Sequence, residues 1–169
     1  MIFSLLYLFY THRTAMSEKT IISILPVSEP EREWAAQLFY TSEPWTSLGV
    51  SLDKCTNMCK DREYIMFVAH IDHQACGTII LHPRGFASSP YLKSIVVAEE
   101  YRSQGVGAAL LKHSEEYFRP NYNFFFLCVS SFNKRAQLFY QNLGYTVVGE
   151  LKDYVVAGES EIIMQKRLK

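Results

Sequence analysis

Arg102, Gly105 and Gly107 stand close together inside Ser94–Phe118, which reads SIVVAEEYRSQGVGAALLKHSEEYF. Ahead of them Ile95, Val96 and Val97 form a β-branched run that favours a buried strand. Behind them Val106, Leu110 and Leu111 are apolar where Lys112, Glu115 and Glu116 are polar, a helical pattern. A strand, a glycine-bearing turn and a helix together make an anion site. The first backbone N–H groups of a helix have no partner within it, and the helix dipole places partial positive charge there. Glycine lets an anion come close to that backbone. Arg102 at the mouth adds a charge-assisted contact. The chemistry expected is phosphate binding. A glycine turn chosen for packing alone is the alternative reading. The pattern is not a P-loop, since no Gly-Lys-Ser/Thr follows, and its glycine spacing is not that of a dinucleotide site.

A second pattern lies downstream: Asn133-x-x-Ala136-x-x-x-Tyr140-x-x-x-Gly144-Tyr145. The two, in this order and at this separation, resemble the two signatures of the GNAT superfamily of N-acetyltransferases. The resemblance covers Thr20 to Leu168. It implies a mixed α/β (α+β) fold, the GNAT acyl-CoA acyltransferase fold. A central mixed sheet of six to seven strands would be flanked by helices. Two parallel strands, Tyr91–Val97 and Asn123–Val129, would splay apart there to hold acetyl-CoA as co-substrate. In that family arrangement Val96, Val97 and Ala98 would run beside the pantetheine, with an N–H near Val97 polarising the thioester carbonyl. The N–H groups of Gln104, Gly105, Val106 and Gly107 would hold the pyrophosphate, with Arg102 and Ser103 also among the cofactor-binding residues. Asn133 and Ala136 would flank the other side, and Tyr140 would donate a proton to the leaving thiolate.

The implied activity is transfer of an acetyl group from acetyl-CoA to a primary amine of a small molecule or peptide, by direct attack. An acyl-CoA-binding regulatory module without turnover is the alternative; an acid placed at the sulfur, as Tyr140 is in the family, favours the enzyme. Ribosomal-protein N-terminal acetyltransferases carry a glutamate base on the fifth strand, and this sequence has Cys128 there. That departure speaks against a peptide N-terminus as acceptor. It leaves the base to Glu99, Glu100, a residue of the variable loops, or water. The acceptor walls fall in Thr41–Arg62 and Pro83–Pro90, which carry no legible pattern.

The remaining composition sets limits. The 169 residues fit one domain with a sizeable core. Seventeen acidic and seventeen basic residues balance, so nothing favours nucleic acid or an anionic membrane as partner. Cys55, Cys59, Cys76 and Cys128 show no zinc-ligand spacing and no disulfide framework. No metal is expected, and reduced thiols fit a cytoplasmic protein. Met1–Tyr10, MIFSLLYLFY, is about half the length that spans a bilayer. Residues 1–15 are expected to be an extension outside the fold, ahead of a plausible start at Met16, with the domain over 16–169. A membrane anchor is the sharper alternative. Oligomeric state is not legible, a homodimer included.

Periodicity and punctuation give the element order. A strand over Thr20–Val27 precedes a helix opened by Ser28-x-x-Glu31, a capping-box spacing. A less regular helix is expected over Leu48–Met58, with Trp45 read as packing. Strands follow at Tyr64–Ile71, Ala75–His82 and Tyr91–Val97, with Pro83–Pro90 a loop. His70, His73 and His82 read as surface or strand-edge residues. After the organising helix come a strand over Asn123–Val129 and a helix capped by Ser130 or Ser131. Strands over Tyr145–Glu150 and Glu159–Lys166 close the chain.

Overall fold

The computed structural model of the protein describes residues 20–169, so the extension expected at 1–15 lies outside the described residues. The elements are β1 (Ile22–Pro26), α1 (Glu29–Tyr40), α2 (Leu52–Lys60), β2 (Ile65–Ile71), β3 (Gln74–Phe86), β4 (Ser89–Val97), α3 (Val106–Phe118), β5 (Phe124–Ser130), α4 (Lys134–Asn142), β6 (Thr146–Lys152) and β7 (Ser160–Arg167). All seven strands join one sheet in the order β1-β2-β3-β4-β5-β7-β6. Neighbours are antiparallel except β4 and β5, which run parallel. This is the mixed α+β architecture expected, with the larger of the two strand counts.

Each sheet face has its own core. Alternation along β5 turns Phe125, Leu127 and Val129 to the face that α3 and α4 cover, where Leu110, Leu111 and Tyr140 pack. Ala35, Ala36 and Phe39 of α1 and Cys55 and Cys59 of α2 pack on Met66, Ile80 and Val96 on the opposite face. Phe125 is fully buried among Phe118 and Tyr145. Phe125→Ala should therefore lower unfolding free energy by roughly 3–5 kcal/mol, read as a shift in the denaturant midpoint at unchanged slope.

Three local expectations change. The Pro83–Pro90 loop is mostly strand. β3 runs on to Phe86 and turns through Ala87 and Ser88, both at positive φ (46° and 62°), before β4 starts at Ser89. The ladder is irregular between His82 and Phe86, which is where a strand tolerates Pro83 without an N–H. The second helix begins later, at Leu52, because the Ser51 side chain caps it by accepting from Lys54 N–H at 3.3 Å. The last helix is capped by Asn133 rather than a serine. Its Oδ1 accepts from Ala136 N–H at 3.0 Å, while Ser130 bonds to Glu161 on β7 and Ser131 to Glu159 just ahead of it. The opening box of α1 is present: the Glu31 carboxylate accepts from Ser28 N–H at 2.7 Å. Its other oxygen lies 2.6 Å from His70 Nε2, so His70 ties β2 to α1 instead of standing at the surface.

Candidate active site

The parallel pair β4 and β5 meets only at Tyr91 with Phe126 and Leu92 with Leu127. Beyond these residues the two strands part, although β4 stays paired to β3 as far as Val97 and β5 to β7 as far as Ser130. The result is a wedge that opens toward the strands' C-terminal ends. Ala98 N–H donates to Cys76 on the β3 side at 2.9 Å. Successive residues of a strand point their polar groups to opposite edges, so Val97 presents its own to the wedge. The Val97 carbonyl accepts from Arg102 Nε at 3.1 Å. Arg102 thus folds back over the strand it follows.

The turn between Tyr101 and α3 forms a concave row of donors. Ser103 (φ 63°) and Gly105 (φ 86°) are both left-handed, a conformation that glycine holds without a Cβ penalty. No backbone N–H from Ser103 to Ala108 donates to another protein group among the described residues, and α3 has no side-chain cap. A Cβ on Gly107 would come 3.4 Å from Phe139 Cζ and 3.8 Å from Val97 Cγ2, so its absence keeps the floor between β4 and α4 open.

Wedge and donor row belong to one cavity of about 580 Å³. Val96, Val97, Arg102, Ser103, Gly105, Val106 and Gly107 line it, as do Asn133, Ala136 and Tyr140. Of the residues singled out in the sequence, Ala98 and Gln104 stand just outside the lining; the Gln104 side chain bonds back to the Glu100 carbonyl at 2.9 Å. Asn133 lines the cavity while its Oδ1 is engaged as the cap of α4. Tyr140 is nearly buried, at 7 % exposure, against Phe139 and Tyr145. Burial alone pushes its hydroxyl well above the ordinary tyrosine range. It therefore stays protonated at neutral pH.

The other end of the cavity is walled by Trp45, Leu48, Lys93, Cys128, Val155 and Glu161. Trp45 both packs edge-on against Phe39 (4.8 Å between centroids) and faces the cavity. Burial raises the Cys128 thiol, so it is not a ready nucleophile. Glu99 and Glu100 are exposed and do not line the cavity. Arg135 and Glu161 line it without having stood out in the sequence, since neither belongs to a recurring pattern. Among the described residues no three His, Cys, Asp or Glu side chains are grouped to hold a metal ion, and no helix is long and apolar enough to cross a membrane.

The family model described as the acetyltransferase (GNAT) family matches residues 27–145, which span both the wedge and the donor row. The chain belongs to the GNAT family of acetyltransferases. It is an acyltransferase. The family assignment agrees with a relative named N-alpha-acetyltransferase from Sulfurisphaera tokodaii, 34% identical over 119 residues, covering 62% of this chain and 70% of the relative. Solved structures agree on the fold of this GNAT protein. A GNAT-family protein from Desulfovibrio desulfuricans superposes with a TM-score of 0.78 at 18% identity over 88% of this chain and 100% of that one. An aminoglycoside 6'-N-acetyltransferase complexed with coenzyme A superposes with a TM-score of 0.73 at 18% identity over 88% and 97%.

Proposed function

We propose that this GNAT acyltransferase is an N-acetyltransferase that uses acetyl-CoA and a primary amine of a small molecule or peptide. The observation that carries the reading is the unpaired row of N–H groups from Ser103 to Ala108 at the mouth of the β4–β5 wedge. Such a row suits a pyrophosphate, and the wedge edge at Val97 suits an amide-bearing chain lying beside a strand. A neighbour of the same fold is complexed with coenzyme A, which supports the same ligand here. Bound there, acetyl-CoA would supply the activated acetyl group.

The chain's residues take the rest. Val96, Val97 and Ala98 offer the strand edge. Arg102, Ser103, Gln104, Gly105, Val106 and Gly107 form the phosphate cradle. Asn133 and Ala136 flank it, with Arg135 adding positive charge. The Tyr140 hydroxyl donates a proton to the departing sulfur. Relatives named N-alpha-acetyltransferases put a peptide α-amine among the first acceptors to try.

The test is thiol release from acetyl-CoA in the presence of spermidine, kanamycin, free amino acids and a tetrapeptide with a free N-terminus. Release with at least one of them, with the acetylated amine seen by mass spectrometry, is the expected result. Tight acetyl-CoA binding with no release from any amine would instead indicate a binding module.

A further inference from the structure

A primary amine reaches the site mostly as an ammonium, because an aliphatic amine has a pKa near ~10. Something must take its proton before attack. Cys128 gives β5 no carboxylate at the cleft, and its burial-raised thiol is no base near neutrality. The adjacent strand supplies what β5 lacks. Glu161 of β7 pairs directly opposite Ser130 of β5, and Ile163 opposite Cys128. Side chains of one pleat face share a direction, so Glu161, Ser130 and Cys128 share one face and line the same cavity. Ser130 Oγ donates to Glu161 Oε1 at 2.6 Å, which fixes the carboxylate. Oε2 has no donor among the described residues. The Glu161 charge also helps to raise both Cys128 and Tyr91, so it acts on the cleft floor.

Competing acids drop out on position. Glu99 and Glu100 are off the lining. Glu43 also lines the cavity, but from the segment between α1 and α2 rather than from a strand beside Cys128, and one of its oxygens accepts from Ser47 N–H at 3.2 Å. No histidine lines the cavity.

We propose that Glu161 receives the acceptor ammonium and removes its proton, with Ser130 as its positioning residue. This rests on the acetyl-transfer reading above. The step balances as follows. One ammonium proton passes to Glu161 Oε2. The freed lone pair of the nitrogen forms the C–N bond with the acetyl carbon. The C–S bond breaks with its electron pair on sulfur, which takes the Tyr140 proton. The second proton shed by the nitrogen restores Tyr140, and the one on Glu161 leaves to solvent.

The test is Glu161→Gln, which keeps the shape and the bond from Ser130. Thiol release is followed across pH with whichever of spermidine, kanamycin and a free-N-terminus tetrapeptide the parent chain acetylates fastest. Acetyl-CoA affinity by calorimetry and melting temperature should match the parent. At pH 7, kcat/KM should fall by roughly 10²-fold, the lower end for a positioned base. The gap should close as pH approaches the amine's own pKa, about 10 for an aliphatic amine and about 8 for a peptide α-amine, where no base is needed. Glu161→Asp should recover part of the loss. A gap that is absent, or that stays the same at every pH, would overturn the assignment. A parent chain that binds acetyl-CoA but acetylates none of the probes would overturn acetyl transfer itself and Glu161's role with it, a result distinct from an active parent with an unaffected variant.

Discussion

Tyr140→Phe should lower kcat by roughly 10²–10⁴-fold while leaving the folded protein and its acetyl-CoA affinity almost unchanged. The size follows from what is removed. The ring keeps its contacts with Phe139 and Tyr145, and the hydroxyl gives up no protein partner, since burial is all that acts on its titration. Stability therefore has little to lose. The proton is needed only as the C–S bond breaks, so the deficit belongs in kcat rather than KM. Steady-state kinetics with an amine that the parent chain acetylates measures both. A variant that turns over near the parental rate would make Tyr140 a packing residue, and a CoA thiolate would be leaving without an acid.

Gly107→Asp should abolish measurable acetyl-CoA binding, a loss of more than about 10²-fold in affinity, with the fold intact. The new Cβ would enter the space between Val97 and Phe139, and a negative charge would be added within the run of unpaired N–H groups proposed to hold the phosphates. At about 4 Å, two like charges repel by roughly 4 kcal/mol at a protein surface, equivalent to about three decades of affinity. The fold should tolerate the change, because an acidic side chain in the first turn of α3 favours the helix dipole. Calorimetry gives the affinity and thermal melting the fold. A folded variant that binds like the parent would move the phosphates elsewhere.

The parts of this molecule that were readable from the sequence are those set by neighbours in the chain. Ile95–Val97, the turn at Arg102–Gly107 and the stripe of α3 are local patterns, and they appear where expected. So does the spacing from Asn133 to Gly144. The cap at Asn133 was missed because Ser130 and Ser131 are equally good caps in isolation; only their pairing with Glu161 and Glu159 removes them from contention. The extension of β3 through Pro83 and Gly85 was missed because both residues normally punctuate, and the irregular ladder that accommodates them is a property of two strands. Glu161 was invisible for a related reason. It sits in an unremarkable run, Gly158-Glu159-Ser160-Glu161, and gains meaning only from lying opposite Ser130, thirty-one positions earlier.

The brief contact between β4 and β5 bears on how the molecule opens. Backbone pairing knits β1–β4 into one block and β5–β7 into another, and only Tyr91–Phe126 and Leu92–Leu127 stitch the blocks together. Elsewhere the seam is held by side chains, with Val106 and Leu110 on one side and Leu127 and Val129 on the other. Amide hydrogen exchange should then resolve two units of unequal protection, with the β4 amides that face the seam exchanging fastest within their strand. A ligand lying along that seam would act as the missing rung, and its binding should merge the two units into one cooperative transition.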